Sequence, residues 1–209
     1  MRVMEGLRIC AAVGAISVFG AGVAHAGAEV TRFRANGAMA SHNSFDGTTA
    51  YDLAVNRNDT SSGTTTFFSF FTQTCDANFT ICSGKFGFGN IPNGDFSVST
   101  GTASLNTNLA SNSGFQVFTY VQDNSNGTFT QTPATGGIVT ITWHKNPRQS
   151  QSFTGTSTFV SGGFSSTVNG SQTSNSASTT GTLLGVPLPT ISSSFIGTNK
   201  SSQIIINRI

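Results

Sequence analysis

Apolar and polar residues alternate with a period of two over many short segments of the chain. In GDFSVST, residues 94–100, Phe96 and Val98 fall on one side of the backbone and the serines fall on the other. This period is typical of half-buried β-strands, and no long segment has apolar residues at helical spacing. The pattern therefore predicts an all-β protein.

Turn residues divide the alternating segments into roughly ten antiparallel strands. The first segment, Glu29 to Phe45, is predicted to be one long strand or a pair of strands with a kink at Gly37. A turn follows at residues 46–47, and residues 57–63 are predicted to form a polar loop. The later predicted strands are 50–56, 64–74, 84–89, 96–108, 115–122, 128–132, 137–145, 150–160, 164–184 and 193–208. Strands of this number and spacing favour a single-domain β-sandwich with jelly-roll-like connections.

Two predicted strands, 64–74 and 115–122, carry aromatic residues on both faces. The residues that would face away from the core are Phe67, Phe71, Phe118 and Tyr120. Such a stripe is usually buried, and a loop, the Ser/Thr-rich hairpin or the segment between the cysteines could cover it. If it is exposed, it marks a surface for a glycan, a peptide or a second copy of the chain, and these four residues are the candidate binding residues.

The first 26 residues have the features of a secretory signal peptide. Arg2 and Arg8 give a positively charged start, residues 9–23 are apolar, and Ala-His-Ala at residues 24–26 fits a cleavage site. We therefore expect a secreted or periplasmic protein in which residues 27–209 form one all-β domain. No later segment is apolar enough to be a membrane helix.

Two cysteines, Cys75 and Cys82, remain after the predicted cleavage. In an exported chain they are expected to form a disulfide that closes a loop between two strands. We expect no metal or other cofactor, because the spacing is not C-x-x-C and the two remaining histidines, His42 and His144, are distant in sequence.

The charge of the chain disfavours nucleic acid as a partner. Eight basic and seven acidic residues follow residue 26, so the net charge is 8 − 7 = +1, without a cluster of cations. The remaining surface is rich in Ser, Thr, Asn and Gly, which suits a neutral polysaccharide or another protein. The isoleucines at residues 204–206 suggest either self-association by strand addition or an ordinary last strand inside the sheet.

Sequence motifs of catalysis are missing from the chain: there is no nucleophile elbow, H-E-x-x-H, P-loop or dinucleotide motif. His42, Ser44 and Asp46 alternate toward one side, but neighbours on one strand rarely form a catalytic triad. We expect a non-catalytic surface, matrix or binding protein. Two alternatives stay open: a small secreted hydrolase with a site around His42 or His144, and an outer-membrane β-barrel, whose strands also alternate.

The intact mass of the protein isolated from its host tests the processing. We expect the mass of residues 27–209 less two hydrogens, because the signal peptide is removed and the two cysteines are oxidised. A mass that includes residues 1–26 would contradict the predicted cleavage. A mass with both thiols reduced would contradict the predicted disulfide.

Overall fold

A computed structural model describes residues 29–161, 164–190 and 192–207, and most of these residues lie in β-strands. The strands form one sheet in which neighbours are antiparallel. The all-β prediction is confirmed, and the described residues form twelve strands rather than roughly ten. The predicted signal peptide, residues 1–26, lies outside the described residues. Within the described ranges, no helix is long and apolar enough to cross a membrane.

The strands follow one another along the chain with short connections. They are β1 (Glu29–Phe45), β2 (Thr49–Thr60), β3 (Gly63–Cys75), β4 (Ile81–Ile91), β5 (Phe96–Ser99), β6 (Thr102–Asn108), β7 (Phe115–Asp123), β8 (Thr128–Pro133), β9 (Ile138–Ser161), β10 (Phe164–Leu183), β11 (Val186–Pro187) and β12 (Ser192–Asn207). Their order across the sheet is β5-β6-β9-β10-β12-β1-β2-β3-β4-β7-β8, and β11 pairs with β10. Single-turn 3-10 helices occupy Asn93–Asp95 and Leu109–Ser111.

The polar loop predicted between β2 and β3 is wrong. β2 continues to Thr60 and β3 begins at Gly63, so a two-residue turn joins them. The polar side chains that suggested a loop interact along β2 and across the hairpin instead. Asp59 accepts hydrogen bonds from Arg57 Nε (3.1 Å) and from Thr64 Oγ1 (2.7 Å).

β9 is one strand where two were predicted. Residues 146–149 of β9 lie opposite residue 176 of β10, which is a β-bulge, and the pairing continues on both sides of it. Pro147 lies in this segment and cannot donate a hydrogen bond to a neighbouring strand, so a bulge accommodates it. The residues that suggested a break between two strands therefore interrupt the pairing of β9 with β10, but β9 itself continues through them.

The opposite error occurs at residues 96–108, which were predicted to be one strand. They form the hairpin of β5 and β6. Gly101 adopts a φ of 93° in the turn, a conformation that favours glycine. The two-residue strand β11 was not predicted at all.

The core lies on one face of the sheet, which we call the inner face. Side chains from both ends of the sheet order meet there in one cluster, which includes Leu53, Phe68, Phe96, Leu105, Phe115, Ile141 and Trp143. Trp143 on β9 donates a hydrogen bond from Nε1 to the Ser41 carbonyl on β1 (2.9 Å), although β10 and β12 lie between these strands in the sheet. The sheet is therefore rolled onto itself and encloses its inner face, as the two layers of a sandwich do.

Glycine in β4 makes room for aromatic rings on the inner face. A Cβ atom on Gly87 would lie 2.6 Å from the ring of Phe70 and 2.7 Å from the ring of Phe115. These rings stack with their centroids 6.2 Å apart, and Phe68 stacks on Phe115 at 5.6 Å. The alternation of Phe and Gly in β4 thus serves the packing of its neighbours.

Four strands continue beyond the core as a two-sided sheet, which we call the extension. It consists of residues 150–161 of β9, 164–175 of β10, 197–207 of β12 and 29–37 of β1. Phe153 and Phe159 are 73% and 61% exposed there. Cross-strand hydrogen bonds support it, such as the one from Thr156 Oγ1 to Asn169 Oδ1 (2.8 Å).

β12 lies inside the sheet. It pairs with β1 on one side and with β10 on the other, and the isoleucines at residues 204–206 take part in both pairings. The interpretation of this segment as a free edge for strand addition is therefore wrong. Among the described strands, the edges of the extension that pair with no neighbour belong to β9 and β1 instead.

Adjacent residues on β3 provide a direct test of the two faces. Phe68 is fully buried in the core, so Phe68→Ala should lower the free energy of unfolding by roughly 3–5 kcal/mol. Phe67 points to the other face and is 42% exposed, so Phe67→Ala should cost less than about 1 kcal/mol. Urea unfolding of both variants measures the difference, and equal losses would contradict the assignment of faces.

Candidate binding surface

The face of the sheet opposite the core, the outer face, carries a cluster of aromatic rings. Phe71, Phe86 and Phe118 lie directly opposite one another on β3, β4 and β7. The alternation of these strands places further rings on the same face. We define the outer aromatic surface as Phe67, Phe71, Phe86, Phe88, Phe118, Tyr120 and Phe129.

Several pairs of rings on this surface are stacked nearly parallel, while Phe86 and Tyr120 are tilted by 52° to each other. The centroids of Phe86 and Phe118 are 5.1 Å apart with an interplanar angle of 19°, and those of Phe71 and Tyr120 are 5.4 Å apart with an angle of 18°. Tyr120 also stacks on Phe129 at 5.5 Å. Stacking of this kind holds each ring in a defined orientation.

Tyr120 is the buried centre of the surface. Its ring lies over Gly84, where a Cβ atom would be 3.1 Å from it, and only 3% of the residue is exposed. Its hydroxyl donates a hydrogen bond to the Thr72 carbonyl (3.1 Å), and burial raises the pKa of Tyr120 to about 12. The hydroxyl is therefore neutral at physiological pH, and the ring supports its neighbours.

The other predicted binding residues are more accessible. Phe67 and Phe71 are 42% and 37% exposed, and Phe118 is half-buried. In the part of the chain that the structure describes, no loop or hairpin covers the first two. The structure thus brings all four predicted residues onto one surface, and three of them reach solvent.

Three members of the surface were not assigned to it from sequence. Phe86 and Phe88 alternate with glycine in KFGFG, a signal that puts both rings on one face of β4. Phe129 lies on β8, next to Gln122 of β7. These three rings belong to the surface because of the strand order, in which β4 lies between β3 and β7 and β8 extends the same face.

Polar but uncharged residues surround the rings. Asn56 and Asn90 lie on either side of Phe67, and Gln116 lies beside Phe88. On the outer face of β3, β4 and β7, as far as the structure describes them, no residue is charged. The nearest carboxylate on this face belongs to Asp52, which lies opposite Phe71 and whose pKa is raised by burial.

The disulfide lies at one end of this surface. Cys75 and Cys82 form the bond expected from the sequence, and they lie directly opposite each other on β3 and β4. The loop between them is held by Asn124, the first residue after β7, whose Nδ2 donates to the Phe79 carbonyl (2.7 Å). The disulfide therefore fixes the ends of β3 and β4, which lie beside Tyr120.

A second candidate site, around His42, lies on the inner face. His42 is fully buried, and its ring nitrogens hydrogen-bond to Ser44 Oγ (Nε2, 2.7 Å) and Ser194 Oγ (Nδ1, 3.1 Å). Ser194 Oγ also accepts a hydrogen bond from Thr179 Oγ1 (2.8 Å). Desolvation lowers the pKa of His42 to about 4, so the imidazole is neutral at pH 7.

Asp46 does not join His42 and Ser44. Its carboxylate accepts hydrogen bonds from the backbone N–H groups of Thr48 (2.9 Å) and Thr49 (2.8 Å) in an exposed turn. These hydrogen bonds lower the pKa of Asp46, and the one from the Thr49 backbone has the largest effect, followed by the one from Thr48. β1 ends at Phe45, so the alternation that places Ser44 beside the imidazole does not extend to residue 46.

The described residues give little support for a catalytic site at His42 or His144 or for a metal site. His144 is exposed, and no carboxylate hydrogen-bonds to His42 there. In residues 29–161, 164–190 and 192–207, no three His, Cys, Asp or Glu side chains lie close enough together to hold a metal ion. The His42 cluster has the arrangement of a satisfied polar group in a core.

Comparisons with known proteins identify no relative. The chain matches no family model, no curated protein and no solved structure. Its function therefore has to be argued from its own surfaces and side chains.

The buried His42 should make stability depend on pH. Its pKa is about 4 in the folded chain and 6.5 ordinarily, so the unfolded chain binds more protons between these values. Stability is fully present above pH 6.5 and falls as the pH drops toward 4, by about 3 kcal/mol in total. Urea unfolding at pH 7 and pH 4.5 measures the loss.

Two variants separate this effect from general acid sensitivity. His42→Gln should remove most of the dependence between pH 6.5 and 4.5, even if the variant is less stable at pH 7. His144→Gln should retain the dependence, since this residue is exposed. The same loss of stability in the wild-type protein and in His42→Gln would contradict the assignment.

Proposed function

We propose that the chain is an exported, non-catalytic surface or matrix protein that binds a neutral polysaccharide through the outer aromatic surface. The observation that carries this proposal is the set of stacked, partly exposed rings bordered by amides and hydroxyls on one face of a sheet. An aromatic ring packs against the apolar face of a sugar ring. Amide and hydroxyl side chains exchange hydrogen bonds with sugar hydroxyls.

The charge of the surface supports a neutral partner. The outer-face residues described on β3, β4 and β7 include no charged side chain. A charged ligand would lose hydration there without gaining an ion pair, which is unfavourable. A polysaccharide without charged groups has no such cost.

The rigidity of the surface supports binding rather than a purely structural role. The rings stand on β-strands, Tyr120 is anchored by its hydrogen bond to Thr72, and the disulfide joins the ends of β3 and β4. Rings that are already ordered lose little conformational entropy when a ligand binds. Contiguous exposed apolar surface of this kind usually marks an interaction site.

Two observations support export. The N-terminal residues have the pattern of a signal peptide, and the Cys75–Cys82 disulfide is typical of an oxidising compartment. Both agree with a protein that meets polysaccharide at the cell surface or in an extracellular matrix.

Binding to a panel of soluble neutral polysaccharides tests the proposal. The panel should contain a glucan, a mannan and a galactan, and affinity gel electrophoresis should detect retardation of the wild-type protein by at least one. The double variant Phe71→Ala/Phe88→Ala should bind that polysaccharide about tenfold more weakly or worse, a loss of about 1.4 kcal/mol. Circular dichroism should show an unchanged fold.

A matched control uses the same residue type on the same face of the sheet. Phe153 lies on the outer face of the extension, away from the rings, so Phe153→Ala should leave binding unchanged. Failure of the wild-type protein to bind any member of the panel would contradict the proposal. An equal loss in the Phe153 variant would show that binding does not depend on the outer aromatic surface.

A further inference from the structure

The free edge of β9 lacks the features that protect most edge strands. β6 pairs with β9 only from Ile138 to His144, so no described strand pairs with the outer side of residues 151–161. Exposed edges are usually blocked by charges or proline. The segment from Gln151 to Ser161 contains neither.

The other free edge of the extension is protected. Residues 29–34 of β1 extend beyond the pairing with β2, which begins at Ala35. This short segment contains Glu29, Arg32 and Arg34. The contrast between the two edges singles out β9 as the one that is open to another strand.

The sequence of the β9 edge is nearly the same in both directions. Residues 153–159 read FTGTSTF, with Thr156 at the centre, and only Gly155 and Ser157 break the symmetry. When two antiparallel copies of such a segment pair about the central residue, every residue from 153 to 159 except Gly155 and Ser157 meets one of its own type. This is the self-complementarity that a two-fold interface requires.

We infer that two copies of this chain associate edge to edge through β9, with Thr156 on the two-fold axis. Phe153 of each copy then lies opposite the second copy's Phe159, and Thr154 lies opposite the second copy's Thr158. The pairing joins two four-stranded extensions into one eight-stranded antiparallel sheet. It involves a different surface from the proposed polysaccharide site and does not depend on it.

The two faces of the extension agree with this register. Phe153 and Phe159 both lie on the outer face, and a two-fold axis perpendicular to the sheet keeps the outer faces of both copies on the same side. Two Phe–Phe pairs form across the junction on that face, and such cross-strand pairs stabilise sheets. On the other face, the hydroxyls of residues 154, 156 and 158 continue the row that Thr156 forms with Asn169 (2.8 Å).

Charge and the number of paired residues favour the β9–β9 pairing over the β1–β1 and β9–β1 pairings. Pairing of β1 with the second copy's β1 would bring Arg32 and Arg34 close to the same residues of that copy. Pairing of β9 with the second copy's β1 would use only the six residues 29–34. The β9 pair uses all eleven residues from 151 to 161. Residue 161 of the second copy, where its β9 ends, lies opposite residue 151 of the first copy, so the second strand does not reach the residues that pair with β6.

The size of the junction predicts a reversible dimer. Eleven paired residues span about 34 Å, so the buried area is at the small end for specific interfaces. We expect a monomer–dimer equilibrium that shifts with protein concentration. Analytical ultracentrifugation of the purified protein without polysaccharide measures it.

Single cysteine variants test the register. Residues directly opposite each other in a sheet lie close enough for a disulfide, so Thr156→Cys should cross-link to itself under mild oxidation. In the same dimer, residue 154 of one copy is about 14 Å from residue 154 of the other, so Thr154→Cys should not. Non-reducing gels should show a covalent dimer for Thr156→Cys and not for Thr154→Cys or the wild-type protein.

A charged variant tests the edge itself. Ser157→Lys places a charge on the free edge and should abolish the dimer without changing the circular dichroism spectrum. Gln172→Lys adds the same charge on β10, one strand away from the edge, and should leave the dimer intact. A wild-type monomer at all concentrations, equal cross-linking of the two cysteine variants, or an unchanged dimer in Ser157→Lys would each overturn the inference.

Discussion

The fold depends on the rolling of one sheet onto its own inner face. The hydrogen bond from Trp143 to the Ser41 carbonyl joins β9 to β1 across β10 and β12, and the core cluster unites side chains from both ends of the sheet order, such as Phe96 on β5 and Phe115 on β7. Rolling can enclose only one face of a sheet. Of the phenylalanines in the described residues, four lie in the core, namely Phe68, Phe70, Phe96 and Phe115, and most of the others lie outside it.

Two glycines of β4 leave space for aromatic rings on opposite faces of the sheet. Gly87 leaves space on the inner face for Phe70 and Phe115, while Gly84 leaves space on the outer face for Tyr120. A ring that covers a glycine replaces the missing side chain and shields the backbone from water, as in designed sheets where aromatic residues compensate for glycine. The glycine content of β4 predicts a weakly packed strand, but neighbouring rings pack against it on both faces.

Local patterns in the sequence predict part of this structure. Alternation predicts the strands and the side to which Phe67 and Phe71 point, and the two cysteines predict the disulfide, because each depends on residues near one another in the chain. The burial of Tyr120 depends on Gly84, and the hydrogen bond of His42 on Ser194, 152 residues away. Such contacts follow from strand order and register, which alternation does not specify.

The bulge in β9 determines which side chains of the extension share a face. Residues 139, 141 and 143 point inward before the bulge, whereas residues 150, 152 and 154 lie on that face after it. Four residues of β9 lie opposite one residue of β10 in the bulge, and this odd difference of three exchanges the faces. Phe153 and Phe159 therefore lie on the outer face and the threonines between them on the inner face. Insertion or loss of a single residue at positions 146–149 would reverse this arrangement along the whole edge while leaving the composition of the strand almost unchanged.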